Sequence, residues 1–203
     1  MTYAQPLTLA LLVVASSWSA SACQLRRPDV APARMIEPQL VEPPVQEKRG
    51  LAATPIRLLD THARGHIGRR LLHQQPHGEL SQDSVWSWSS NPDRYLDSAL
   101  RLALAATADL RPVDTANAAT MGVTLIDWHL ESSNSTRLVG AVEVSITAPD
   151  RTVLTQVIRG SEPLSPEMPG DLAAAAGRLL NTLAAECVAR VTQAVRGVRS
   201  SES

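Results

Sequence analysis

Residues 138–147, LVGAVEVSIT, decide the fold. Val142, Val144 and Ile146 alternate with Glu143, Ser145 and Thr147, so a strand here buries one face and wets the other. Upstream, residues 123–130 form a second strand candidate, with Ile126, Trp128 and Leu130 expected on one face. Downstream, Pro149-Asp150-Arg151 reads as a turn into a third strand over residues 152–158. Connections this short make the three an antiparallel meander.

Two helices flank the meander. Asn91 suits an N-cap, Pro92 the first helical position, and Asp93 the positive end of the helix. Leu96, Leu100, Ala103, Thr107 and Leu110 then recur at helical spacing, and Arg111-Pro112 is read as the stop. The last helix carries the stripe Leu172, Ala176, Leu179, Leu183, Cys187, Val191, Val195 and Val198. Three shorter apolar stretches precede the first helix, at residues 55–60, 69–74 and 85–88. The predicted fold is α+β: a two-layer domain over residues 51–198, an antiparallel sheet with two main helices on one face, and a disordered tail at 199–203.

Composition narrows the class. The 203 residues carry 19 basic and 20 acidic side chains, a net charge of −1, which argues against a basic field for nucleic acid. Lys48 is the single lysine. The aromatics are four Trp and two Tyr with no Phe, so aliphatic residues must build the core.

The N-terminus reads as a targeting segment. Residues 1–22 hold no charged side chain, and an apolar run from Leu7 to Val14 thins into small residues ending Ala20-Ser21-Ala22-Cys23. That run is shorter than the roughly 20 residues a bilayer span needs. It fits a secretory signal over residues 1–22. Ala20-Ser21-Ala22 also satisfies an ordinary cleavage site, which leaves that alternative open. Residues 23–50 include Pro28, Pro32, Pro38, Pro43 and Pro44 and read as an extended tether, within which Met35-Ile36 or Leu40-Val41 could add an edge strand.

Motifs for chemistry are sparse. His62/His66 and His73/His77 stand at i,i+4, but Gly65, Gly68, Pro76 and Gly78 argue against the helix a metal pair needs, so no metal site is expected. Gly65-His66-Ile67-Gly68 lacks the rest of a phosphate loop. No G-x-S-x-G occurs, and no catalytic residues are assigned. Cys187 reads as a buried, inert thiol. Asn134-Ser135-Thr136 matches a glycosylation sequon. Trp86 and Trp88 stand out as candidate partner contacts, with one of them, Trp86, expected to plug the core beneath the first helix.

The small residues before Cys23 resemble the lipobox of bacterial lipoproteins. That resemblance implies cleavage after Ala22, diacylglycerol and an acyl chain on Cys23, and no other cofactor. Gln24 in place of Asp implies the outer membrane. The order of lipobox, Pro-rich segment, Val41-Glu42-Pro43-Pro44, Arg70-Leu71-Leu72, Trp86 to Pro92, three strands and an Ala-rich last helix resembles the ABC-type transport auxiliary lipoproteins, the PqiC-like group, over about residues 36–195. The resemblance implies a non-enzymatic outer-membrane lipoprotein facing the periplasm. Its partners would be an MCE-domain protein and an inner-membrane ABC permease and ATPase that move lipid or other apolar solutes. Homo-oligomers occur among such proteins. A stand-alone envelope assembly or stability lipoprotein is the alternative, and a secreted hydrolase a third.

Overall fold

The computed structural model describes residues 34–45, 53–132, 135–148, 151–165 and 170–201. Residues 1–33, with the signal segment, Ala20, Ser21, Ala22 and Cys23, lie outside them, as do Asn134, Pro149 and Asp150.

The elements run in the order β1 (Arg34–Ile36), β2 (Thr54–Leu58), β3 (His62–Ala63), β4 (Arg70–Gln74), β5 (Leu80–Trp88), α1 (Pro92–Ala106), β6 (Leu110–Pro112), β7 (Ala119–Ser132), β8 (Thr136–Ala148), β9 (Arg151–Pro163) and α2 (Gly170–Ser201). The meander is present: β7 pairs antiparallel with β8, and β8 with β9. Each strand is longer than its apolar alternation suggested.

The sheet is mixed, with nine strands among the described residues, which corrects the expected antiparallel arrangement. The second edge of β7 is paired in series by β2 at Ala119–Met121, by β3 at Thr124–Leu125 and by β4 at Leu130–Glu131, all parallel. Residues 54–74 thus act as one interrupted strand laid along β7. The pairing is parallel because α1 intervenes before β7, and a helical crossover returns the chain in the same direction. β5 closes on β4 antiparallel, β1 adds parallel to β5, and β6 adds parallel to β2.

A bulge sets which side chains of β7 reach the core. Leu125 faces Val142 and Asp127 faces Ala141, so Ile126 is the extra residue. Met121, Val123 and Leu125 therefore share the core with Trp128 and Leu130, while Ile126 is only half-buried. The expectation of Ile126, Trp128 and Leu130 on one face is corrected by that single insertion.

The helix α1 starts where the sequence places it. Asn91 holds the N-cap position in extended conformation but makes no side-chain cap bond. It stops at Ala106, with Thr107 as an extended C-cap, so Thr107 and Leu110 are not part of its stripe. Leu110 is buried instead from β6. The stripe of α2 holds, with Leu172, Ala176, Leu179, Leu183, Cys187 and Val191 all buried and Val195 half-buried. A second row, Leu180, Ala184 and Val188, is buried as well. The α2 backbone continues to Ser201, so the expected tail is helical as far as that residue. Leu96, Leu100 and Leu104 of α1 join the α2 stripe and the apolar face of β7 and β8 in one core.

The reading of residues 23–50 as a tether is corrected for residues 34–45. Met35-Ile36 does form the edge strand, within β1, whereas Leu40-Val41 forms none. Ile36 and Pro38 are buried, and Ser89 N–H donates to Ile36 O at 2.9 Å. The chain then lies across α2: Gln39 N–H donates to Ala173 O at 3.0 Å, and Asn181 Nδ2 donates to Val41 O at 3.1 Å. Gly177 makes this approach feasible, because a Cβ there would stand 1.8 Å from the Gln39 carbonyl oxygen. The obstacle is backbone, which cannot rotate away. Gly177→Ala is expected to destabilise the protein by about 1–3 kcal/mol, the range for overpacking. Gly197→Ala, at an exposed position of the same helix with open space around it, is expected to stabilise by about 0.5–1 kcal/mol. Urea unfolding midpoints of the two variants check the opposite signs.

Candidate functional site

The two tryptophans before α1 divide in the opposite sense to the sequence expectation. β1 pairs with β5 in the register Arg34 to Trp86 and Ile36 to Trp88. Trp88, beside apolar Ile36, is only 1% exposed and packs on Trp128 with ring centroids 5.7 Å apart at 54°. It is Trp88 that fills the core. Both buried indole N–H groups lack an acceptor among the described residues. Trp86 stays half-buried, with the Arg34 guanidinium carbon 5.4 Å from its ring centroid. The partner across the strand pair decides which ring is buried, and that partner lies about fifty residues upstream.

The histidine pairs do not come together as pairs. His62 opens β3 and His66 lies in the following turn, both exposed. His77 is exposed in the turn between β4 and β5. His73 meets Asp83 of β5, Nε2 to Oδ2, at 2.8 Å. The Val85 and Trp86 N–H groups each donate to Asp83 Oδ1 at 2.7 Å. Burial pushes the Asp83 carboxyl up, but these donors and His73 outweigh it and hold it below its ordinary value. The cluster fixes the shape of β5 ahead of Trp86. His129, outside both pairs, is the histidine that sequence reasoning missed. It is buried, with Nδ1 2.6 Å from Asp127 Oδ1 and Nε2 3.1 Å from Gln74 Oε1, and so joins the end of β4 to β7. No group of three or more His, Cys, Asp or Glu is placed to hold a metal among the described residues.

The segment that crosses α2 also shapes a cavity. Pro43 and Pro44 wall a space of about 480 Å³ with Ala103 and Ala106 of α1 and Val188 and Ala189 of α2. The ion pair of Asp109 and Arg196 stands at its lining. A neighbouring recess of about 330 Å³ lies under Val41 between Ala99 and Asn181. Neither space is lined by Ser, His or Cys among the described residues, so neither brings a strong nucleophile or a histidine base to a bound group. Their chemistry is that of an apolar seam bridged by an extended strap.

Cys187 is fully buried on the α2 stripe, and burial pushes its thiol up to about 12. A thiol held protonated and out of solvent is a poor nucleophile.

No protein-family model matches this sequence, and no curated protein matches it significantly. Solved structures do share its fold. A Xanthomonas campestris protein assigned to the family model DUF330 superposes with a TM-score of 0.70 at 15% identity, covering 84% of this chain and 100% of its own. An uncharacterised protein gives 0.58 at 10% identity, covering 80% and 98%. A hypothetical protein from Chlamydia trachomatis gives 0.55 at 12% identity, covering 71% and 98%. At these identities the likeness establishes the fold.

Two outcomes test the site. Trp88→Ala is expected to destabilise by about 3–5 kcal/mol, as for a fully buried aromatic. Trp86→Ala is expected to lower stability by about 1 kcal/mol or less, since exposed cation–π contacts contribute about 0.5–1 kcal/mol. Urea unfolding of the pair checks the reversal. Cys187 is expected to resist a thiol reagent in the native protein at pH 8 and to react stoichiometrically in denaturant, which a colorimetric thiol assay reads directly.

Proposed function

We propose that this protein is a lipid-anchored envelope lipoprotein, acylated at Cys23, that serves as the accessory component of an MCE/ABC-type intermembrane transport system for lipid or another apolar solute. It works by docking. The outer membrane, facing the periplasm, is its place in this reading, and the MCE-domain protein with its inner-membrane permease and ATPase are its partners.

The observation that carries the reading is the joint layout of anchor and domain. Small residues Ala20-Ser21-Ala22 precede Cys23, and the first strand begins at Arg34, eleven positions later. At about 3.3–3.6 Å per extended residue the connection reaches no more than about 40 Å. Buried acyl chains contribute about 0.8 kcal/mol per CH₂, enough for several chains to hold a domain at a bilayer. The folded part therefore works close to the membrane. The order of elements supports the transport assignment through its resemblance to auxiliary lipoproteins, and the fold shared with the DUF330 protein is consistent with it. No residue is assigned a catalytic role.

Cys23→Ala is expected to abolish palmitate labelling and leave unprocessed precursor in cells. Continued labelling contradicts the anchor. Affinity capture of the intact protein from its own host is expected to bring down an MCE-domain protein. Capture without it, from cells expressing the full transport operon, contradicts the transport role and leaves a stand-alone envelope lipoprotein.

A further inference from the structure

The sheet has one long open edge. Its ends at β1 and β6 have three residues each, whereas β9 spans 13 residues, Arg151–Pro163, and pairs only with β8 among the described residues. Leu164 N–H donates to Thr136 O at 2.9 Å, and the β8–β9 register runs in step with that bond from Pro163 back to Leu154. Backbone groups alternate in direction along an antiparallel strand, so Leu164 and the even-numbered residues before it turn theirs toward β8. Thr155, Val157, Arg159 and Ser161 therefore turn theirs outward, where no backbone partner meets them among the described residues. Pro163 shares their parity, so its missing N–H costs the β8 pairing nothing. An open edge of this length is a template for a further strand.

The edge is complementary to itself. Val157 is the midpoint of β9, so a two-fold axis there pairs the strand antiparallel with its own copy over its whole length. Val157, 37% exposed, then lies opposite Val157, and Arg159 opposite Thr155. Like charges directly opposite one another are destabilising, and this register keeps the two Arg159 side chains apart. The helix α2 carries a matching pair of charges. A Cβ on Gly160 would stand 2.9 Å from Leu179 Cδ1 and 3.6 Å from Leu183 Cδ2, while Arg178 binds Glu162, so α2 runs back along β9. Glu186 and Arg190 follow Leu179 and Leu183 by two turns, on the same side of the helix. Two turns rise about 10.5 Å, the span of roughly three strand residues, which sets both charges level with Val157. Both are exposed, and their own ion pair is loose at 3.8 Å. The axis through Val157 turns Glu186 of one copy toward Arg190 of the other.

We propose that β9 pairs with β9 of a second copy of this chain, on a two-fold axis at Val157, to form a dimer with one continuous sheet. Thr155, Val157 and Arg159 exchange backbone hydrogen bonds across the axis. The two α2 helices lie on the same face of the joined sheet, where Glu186 and Arg190 of one copy pair with Arg190 and Glu186 of the other. The dimer does not depend on the lipoprotein reading. It adds to it that the protein docks as a symmetric pair.

The full-length protein, purified in detergent, tests this by cysteine cross-linking. Hydrogen-bonded residues opposite one another on antiparallel strands have Cα atoms about 5.5 Å apart, within reach of a disulfide. Val157→Cys is expected to form a disulfide-linked dimer on mild oxidation, above the background of the unsubstituted protein. Thr155→Cys and Arg159→Cys are each displaced along the strand from their own copies. Neither is expected to cross-link alone, and the two are expected to cross-link when co-expressed. Val157→Pro removes an outward N–H and leaves the β8 pairing intact, so it is expected to sediment as a monomer where the unsubstituted protein sediments as a dimer. Glu186→Arg is expected to raise the dimer dissociation constant at least about tenfold, since like charges meet across the axis, and E186R/R190E to restore it. If Val157→Pro does not fold, the cross-linking pattern decides. A monomeric unsubstituted protein, a Val157→Cys protein that does not link to itself, or equal cross-linking at all three positions overturns the proposal.

Discussion

The close approach of the Gln39 backbone to α2 is the constraint on which the N-terminal half of the structure depends. Gly177 supplies the space, Ala173 O accepts the Gln39 N–H, and Asn181 holds the Val41 carbonyl. With residues 37–45 fixed in this way, β1 is brought beside β5, Ile36 enters the core next to Trp88, and Pro43 and Pro44 cover the seam between α1 and α2. An extended chain has no internal hydrogen bonds, so its order must come from such contacts. Here three polar contacts and two buried side chains provide it.

β7 organises the rest. One of its edges holds the β8–β9 meander, and the other holds the interrupted strand of β2, β3 and β4. The bulge at Ile126 changes the facing of β7 midway, which brings Trp128 under Gly140 and toward Leu183 of α2. A Cβ on Gly140 would meet the Trp128 ring at 3.0 Å and Leu183 at 3.1 Å, so the strand leaves out a side chain where helix and indole converge. His129, on the same strand, binds Gln74 and ties the end of β4 to this spine.

What could be read from sequence follows from the range of the interactions involved. β8 and α2 were legible because each repeats its pattern over three or more periods. The α1 start was legible because Asn91-Pro92-Asp93 acts locally, although Asn91 contributes position without a cap bond. The parallel strands were not legible. β3 has two residues and β1 three, too few to show a period, and their partners lie tens of residues away. The bulge was hidden because a single inserted residue leaves the composition of β7 unchanged while reversing its facing. Residues 34–45 read as tether because proline and mixed charge suit an extended chain whether or not something receives it. The exchange of roles between Trp86 and Trp88 has the same origin: both point to one side of β5, and Arg34 and Ile36 decide which is covered. Of the candidate site residues, Cys23 and the residues before it lie outside the described structure, and Arg34 and His129 emerged only from the fold.

The functional account follows from where the folded domain begins. A domain that starts at residue 34, and not at 51, has a link to Cys23 of at most about 40 Å. In the proposed lipoprotein reading, so short a connection suits a docking component better than a freely roaming one. Amide hydrogen exchange of the full-length chain tests this most directly. The Gln39 amide is predicted to exchange slowly, within the range of the neighbouring first turns of α2, because it opens only when the segment lifts from the helix. Exchange of residues 34–45 at the rate of an unstructured peptide, with α2 still protected, would contradict it.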